Sequence, residues 1–192
     1  MAKKLIKLKK SALKDLSVAL VSRALNGKKI ALAIAGGIGA TETIKIAREI
    51  RRHGGIVQAF LSPEAQRFIT PLSVEWATLK KPILVAGPKV EYLETFDLVL
   101  VCPATLHTIA KSALALAQNV VDLVIANQLG SEGRVLMVPA MNQQLWNHPG
   151  LDRHLQQLND WGVKIYPSNE EESRLKVPDA KELVKWLINE LR

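Results

Sequence analysis

Asp97-Leu98-Val99-Leu100-Val101-Cys102, followed at once by Pro103-Ala104-Thr105-Leu106-His107-Thr108, decides the fold. Its apolar residues are consecutive, so a strand made of them has no polar face and is buried on both sides. Helical residues follow from about His107 to Ala117. The same alternation extends in both directions. Ile30–Ala35 (IALAIA) is an apolar run, followed by Gly36-Gly37-Ile38-Gly39-Ala40 and a helical stretch to about His53, closed by Gly54-Gly55. Ile56–Leu61 reads as the next strand, then Ser62-Pro63 and short helices over Glu64–Ile69 and Ser73–Leu79. Asp122–Ala126 and Arg134–Val138 are further short apolar segments. Met141–Trp161 is helical with a break at Pro149-Gly150, Val163–Tyr166 is a strand, and Asp179–Leu191 is a closing amphipathic helix. Buried strands alternating with helices predict an α/β fold with a parallel sheet covered by helices on both faces.

The 192 residues suit one domain, with 48% hydrophobic and 23% charged residues. One cysteine, Cys102, excludes an internal disulfide framework and a multi-cysteine zinc site. No metal site is expected. The net charge of +8 invites a nucleic-acid reading, but it lies in a leader. Residues 1–29 hold nine basic side chains and one acid, Asp15, while residues 30–192 hold 17 of each sign. A neutral body lacks the basic face that nucleic-acid binding requires, so no nucleic-acid partner is expected. The leader, residues 1–27, reads as a basic amphipathic helix, with Leu5, Leu8, Ala12, Leu16, Leu20 and Ala24 on one face and Asn26-Gly27 as its stop. Its stripe packs on the body or on a neighbouring subunit; a membrane-surface helix is the alternative, disfavoured because no aromatic residue anchors the stripe. Residues 28–192 form the main domain. No stretch has the length of a membrane span or the form of a signal peptide, so a cytoplasmic protein is expected.

In an open parallel sheet, ligands bind beyond the carboxyl ends of the strands, which puts the chemistry in the loops. Gly36-Gly37-Ile38-Gly39-Ala40-Thr41 opens a helix and suits a phosphate; tight strand–helix packing is the competing reading. Glu42 stands where a dinucleotide fingerprint would place its third glycine, and no Gly-Lys-Ser/Thr follows. Ser62 puts a hydroxyl directly after a strand, and Thr105 or Thr108 can cap the helix after Pro103-Ala104. Val138-Pro139-Ala140-Met141-Asn142 again leads from strand to helix. Cys102, at a strand end, reads as a small buried residue rather than a nucleophile.

Together these loops resemble those of the flavin-containing cysteine decarboxylase family, which includes phosphopantothenoylcysteine decarboxylase and the peptidyl-cysteine decarboxylases of lantibiotic maturation. Pro139-Ala140-Met141-Asn142-Gln143-Gln144-Leu145-Trp146 is similar to the family's PxMNxxMW signature, and Pro103-Ala104-Thr105-Leu106-His107-Thr108 to its PASANT signature. Gly36–Ala40 resembles its phosphate loop and Phe68-Ile69-Thr70-Pro71 its FVTP segment. The resemblance covers about Lys28 to the C-terminus. It implies a three-layer Rossmann-like, flavodoxin-like fold that binds FMN at a subunit interface and assembles as a homotrimer or a multiple of it. The implied cofactor residues are Gly37, Ile38, Gly39, Ser62, Thr70, Pro103, Ala104, Thr105, Thr108 and Met141, with Asn142 on the carboxylate of a small-molecule substrate.

The chain also departs from the family. Lys89 stands near the position of the decarboxylases' catalytic histidine, His107 replaces the asparagine of PASANT, and Ser168–Ser173 has neither the glycines nor the cysteine of the family's flap. His107 reads either as a proton-transfer group beside the flavin or as a residue that only hydrogen-bonds the flavin edge or caps its helix. The resulting expectation is a flavoprotein enzyme whose catalytic candidates are His107, Asn142 and Lys89. It is decarboxylase-like, without a fused ligase domain, and turns over phosphopantothenoylcysteine weakly or not at all. A flavin reductase for a pterin-like substrate and a non-catalytic flavin-binding subunit are the alternatives.

Overall fold

The computed structural model describes residues 16–88, 91–167, 170, 171 and 174–192. Its centre is a five-stranded, all-parallel sheet of β1 (Lys29–Ile34), β2 (Ile56–Leu61), β3 (Leu98–Ala104), β4 (Val135–Pro139) and a strand at Lys164–Ile165, in the order β2-β1-β3-β4 followed by that last strand. The helices are α1 (Thr43–Arg52), α2 (Pro71–Thr78), α3 (Leu106–Ala113), α4 (Val120–Gly130), α5 (Gln143–Trp146), α6 (Leu151–Asp160) and α7 (Ala180–Glu190). A second, antiparallel sheet joins β5 (Met141–Asn142) to a hairpin; Lys164–Ile165 being β6, the hairpin strands are β7 (Glu170–Glu171) and β8 (Arg174–Leu175). The predicted α/β architecture, with a parallel sheet between two helical layers, is the one observed.

The continuous apolar strands are explained by two separate cores. Successive side chains of a strand point to opposite faces. Ile30, Leu32 and Ile34 of β1, with Leu98 and Leu100 of β3, pack with Ile46 and Ile50 of α1 and with Leu183 and Leu187 of α7. Ala31 and Ala33, with Val99 and Val101, face the other way, toward Ile109 of α3, Val121 and Val124 of α4 and Leu158 of α6. Every residue of β3 is buried, which is why the stretch from Leu98 carries no polar position until Thr105.

Two expectations are corrected, and the Asp122–Ala126 apolar segment, whose type the sequence leaves open, is assigned. The Asp122–Ala126 segment is the interior of helix α4, whose apolar residues lie against the sheet. A short buried helix and a short buried strand look alike by hydrophobicity; the start signal lies just before it, where the Asn119 side chain accepts from Val121 N and Asp122 N while Asp122 Oδ2 accepts from Asn119 N. Helix α3 stops at Ala113, four residues earlier than expected, because Ala115 adopts φ 54°. In the leader, residues 17–23 are not helical and 24–27 form a turn; residues 1–15 lie outside the described residues. Here the chain is held by backbone bonds to the end of α1, Val21 N to Arg52 O (2.7 Å) and Leu25 N to His53 O (2.9 Å), and Arg51 donates to Leu16 O (3.0 Å). Leu25 enters the core, while Leu20 and Val21 remain exposed.

Candidate active site

The chain winds one way from β1 to β2 and the other way through β3, so the crevice of the sheet opens between the ends of β1 and β3. A cavity of about 880 Å³ occupies this place. Its walls come from the loops after β1, β3 and β4 and from residues 175–177 at the end of the hairpin.

The glycines of the first loop do different work. A Cβ on Gly36 would lie 2.3 Å from Glu64 Cβ and 2.9 Å from its carbonyl carbon, so this glycine lets the Ser62–Glu64 turn pack against the loop. A Cβ on Gly39 would lie 2.8 Å from Val177 Cγ2, so it too is a packing glycine. At Gly37 the nearest atom, Thr105 Cγ2, is 3.6 Å away. The protein leaves this bare backbone open to the cavity, a surface that a phosphate can approach closely.

The loop after β3 places Thr105 as the N-cap of α3, its Oγ accepting from Thr108 N (3.3 Å) and lying 3.0 Å from Thr108 Oγ. His107, on the first turn of α3, is exposed, lines the cavity and hydrogen-bonds to no described residue. Asn142 caps α5: its Oδ1 accepts from Leu145 N at 2.9 Å. The acceptor end of the amide is thereby used, and its two N–H donors are left for a ligand. Met141 and Asn142 are fixed from behind by pairing with Leu175 and Arg174. Glu42 also lines the cavity and pairs with Lys45 at 2.8 Å. Cys102 is fully buried, and burial, with Glu42 adding to it, pushes its thiol well above the ordinary range; it holds no thiolate for chemistry.

Of the residues singled out in the sequence, Gly37, Ile38, Gly39, Thr105, His107, Met141 and Asn142 line this cavity. Five others do not. Ser62 is buried, with its Oγ accepting from Ala65 N (3.1 Å), and Thr70 caps α2 through Ser73 N (3.2 Å). Pro103 and Ala104 are buried at the end of β3, and Thr108 is buried beneath Thr105. Lys89 lies outside the described residues. The cavity adds Thr41, Glu42, Leu145 and Leu175–Val177. Leu145 was within reach of sequence reasoning, three residues after Asn142 on a helix. Leu175–Val177 carried no local signal, because tertiary pairing alone brings them in. Among the described residues no cluster of His, Cys, Asp or Glu could hold a metal ion.

The family model described as Flavoprotein matches residues 18–192. The chain belongs to the Flavoprotein family. The chain is 36% identical over 177 residues to the coenzyme A biosynthesis bifunctional protein CoaBC of Thermococcus kodakarensis, covering 88% of this chain and 44% of the relative. It is 32% identical over 150 residues to the CoaBC of Escherichia coli, covering 74% of this chain and 36% of the relative. This flavoprotein thus spans less than half the length of these curated relatives. In fold it is similar to the FMN-dependent cysteine decarboxylase SpaF, with a TM-score of 0.75 at 18% identity over 86% of this chain and 97% of that one. It is likewise similar to a PPC decarboxylase variant complexed with pantothenoylaminoethenethiol, with a TM-score of 0.71 at 18% identity over 83% and 96% of the two chains. The flavodoxin-like, Rossmann-like fold implied by the loop signatures is therefore the fold of this flavoprotein.

Proposed function

We propose that the cavity binds FMN and a small substrate bearing a carboxylate, and that the chain is an enzyme of decarboxylase type. The observation that carries this reading is the pairing of Gly37 with Asn142: bare backbone on one wall, and on another an amide whose only uncommitted atoms are donors. FMN would supply the redox chemistry; Gly37, Ile38 and Gly39 would hold its phosphate, and Thr105 and Met141 would border its ring. Asn142 then orients the substrate carboxylate through its N–H groups. His107 has a ring nitrogen available in the cavity to take or return a proton.

Two features of the sequence argue against phosphopantothenoylcysteine as a good substrate. Lys89 replaces the expected histidine, and an ordinary lysine is protonated at neutral pH and is a poor base. Glu170–Glu172 replaces the expected flap chemistry and repels a phosphorylated substrate. The CoaBC relatives favour the opposite reading, that this is the decarboxylating half of coenzyme A synthesis. Assays of carbon dioxide release from phosphopantothenoylcysteine by the flavin-loaded protein separate the two. We expect little release, with the flavin instead reducible by an external donor, as in a reductase. Robust turnover that is lost in His107→Ala would favour the coenzyme A reading.

Flavin itself is tested by the absorbance spectrum and by thermal stabilisation, with FMN effective where FAD and nicotinamide dinucleotides are not. A colourless protein that FMN does not stabilise would reject the cofactor. We further propose a cytoplasmic homotrimer or a multiple of it. The α2 region supports assembly: Leu72 and Trp76 lie one turn apart on α2 and are 75% and 42% exposed, with Phe68 before the helix and Leu79 at its end 45% and 52% exposed. Light scattering after size exclusion checks the mass.

A further inference from the structure

A second, smaller cavity lies away from the candidate active site, at the far end of α3. It has a volume of about 210 Å³ and is walled by Leu116, Ile125, Leu129 and Trp161. Aliphatic-walled cavities of ~150 Å³ are large enough for benzene. Two polar side chains reach it, Ser112 and Asp122. Ser112 Oγ donates to Thr108 O at 2.8 Å, which spends its hydrogen on the helix.

Asp122 is the informative residue. It is only 5% exposed and forms a buried ion pair with Lys111, itself 6% exposed. All of its partners converge on one oxygen: Oδ2 accepts from Lys111 Nζ, from Gln118 N (3.1 Å) and from Asn119 N (3.2 Å). Oδ1 accepts from no described residue. That oxygen keeps some accessible surface, so it is an unused acceptor on a side chain that lines the cavity.

We propose that this cavity is a binding site for a small neutral aromatic molecule carrying a single hydrogen-bond donor, of the phenol or indole class. The aliphatic walls and the half-exposed indole of Trp161 take the ring, and the donor meets Asp122 Oδ1. Lys111 already balances the carboxylate charge, so the site calls for a neutral donor rather than a second cation.

The test is titration of the full chain with phenol, followed by amide chemical-shift mapping and calorimetry, with toluene as the ligand lacking a donor. Phenol is expected to shift Ser112, Leu116, Ile125 and Trp161 and to bind about ten-fold more tightly than toluene, the increment of one hydrogen bond to a charged group. Ala126→Phe fills the cavity from the exposed side of α4 and should weaken phenol at least ten-fold without moving the melting temperature. Gly130→Leu is a second block that needs no repacking, since a Cβ there meets nothing within 4 Å. Absence of phenol binding, shifts confined to residues 36–42 and 105–107, equal affinity for toluene, or undiminished binding in both blocked variants would each overturn the proposal.

Discussion

The two ends of the parallel sheet treat their polar groups differently. At the amino end, the side chains are consumed by the protein. Asp97 Oδ1 accepts from Lys28 Nζ and Oδ2 from Lys29 N, both at 2.8 Å, and the arm before β1 gives its N–H groups to the carbonyls that end α1. At the carboxyl end, His107 and Asn142, whose amide N–H groups have no partner among the described residues, line a cavity, and a bare glycine forms part of its wall. One end is closed chemistry and the other is open. A residue's role can thus be read from whether its hydrogen-bonding capacity is already spent.

The strongest test of that contrast lies within a single loop. Gly36→Ala should destabilise the fold by about 3 kcal/mol, at the upper end of overpacking costs, because the added methyl meets the backbone of Glu64. Gly37→Ala should leave the melting temperature unchanged and weaken FMN by ten-fold or more. Equal melting losses in the two variants would erase the distinction between a packing and a binding glycine.

Next in size is Asn142. Asp is as good a helix cap as Asn, so Asn142→Asp should preserve fold and flavin. It replaces two donors with a charge that repels a carboxylate, and turnover or affinity for a carboxylate substrate should fall about a hundred-fold, roughly 3 kcal/mol. Retained activity would return Asn142 to the closed class, as a cap and nothing else.

The smallest effect belongs to the amino end. The hydrogen bond from Lys28 holds the Asp97 carboxyl below its ordinary range. A depressed value in the folded state means that the carboxylate stabilises the protein above the unfolded value, near pH 4, and that this contribution disappears as pH falls through the folded value. Asp97→Asn should therefore cost less than about 1 kcal/mol at pH 7, because the pair is partly exposed, and the difference from the parent should vanish in acid. Chemical denaturation at a series of pH values measures it. A difference that grows in acid would have the wrong sign for this explanation.

What could be read in the sequence follows the same division. Strands β1 and β3 were legible because burial on both faces leaves a run of consecutive apolar residues, β2 because Gln58 alone interrupts its apolar residues, and the loops after β1, β3 and β4 because small or polar residues sit where strands hand over to helices. The last turn of the predicted α3 and the identity of α4 were not, since a left-handed alanine and a buried helix leave little trace in hydrophobicity. Ser62 stands out for its hydroxyl after a strand and Thr70 through the FVTP-like segment, but their oxygens cap local turns outside the cavity. The wall at Leu175–Val177 exists only because β8 pairs with β5, more than thirty positions earlier, a contact no local pattern encodes.

The sheet also acts as a partition. Ile46 and Ile50 lie on one side and Ile109 and Val124 on the other, with the whole thickness of β1 and β3 between them. Substitutions on opposite sides share no partner, so their energetic penalties should sum, whereas two on one side should interact. Such thermodynamic independence lets one helical layer drift over generations without forcing compensating changes in the other. The crevice between β1 and β3, where Glu42 from one layer and His107 from the other meet, is where their histories are tied together.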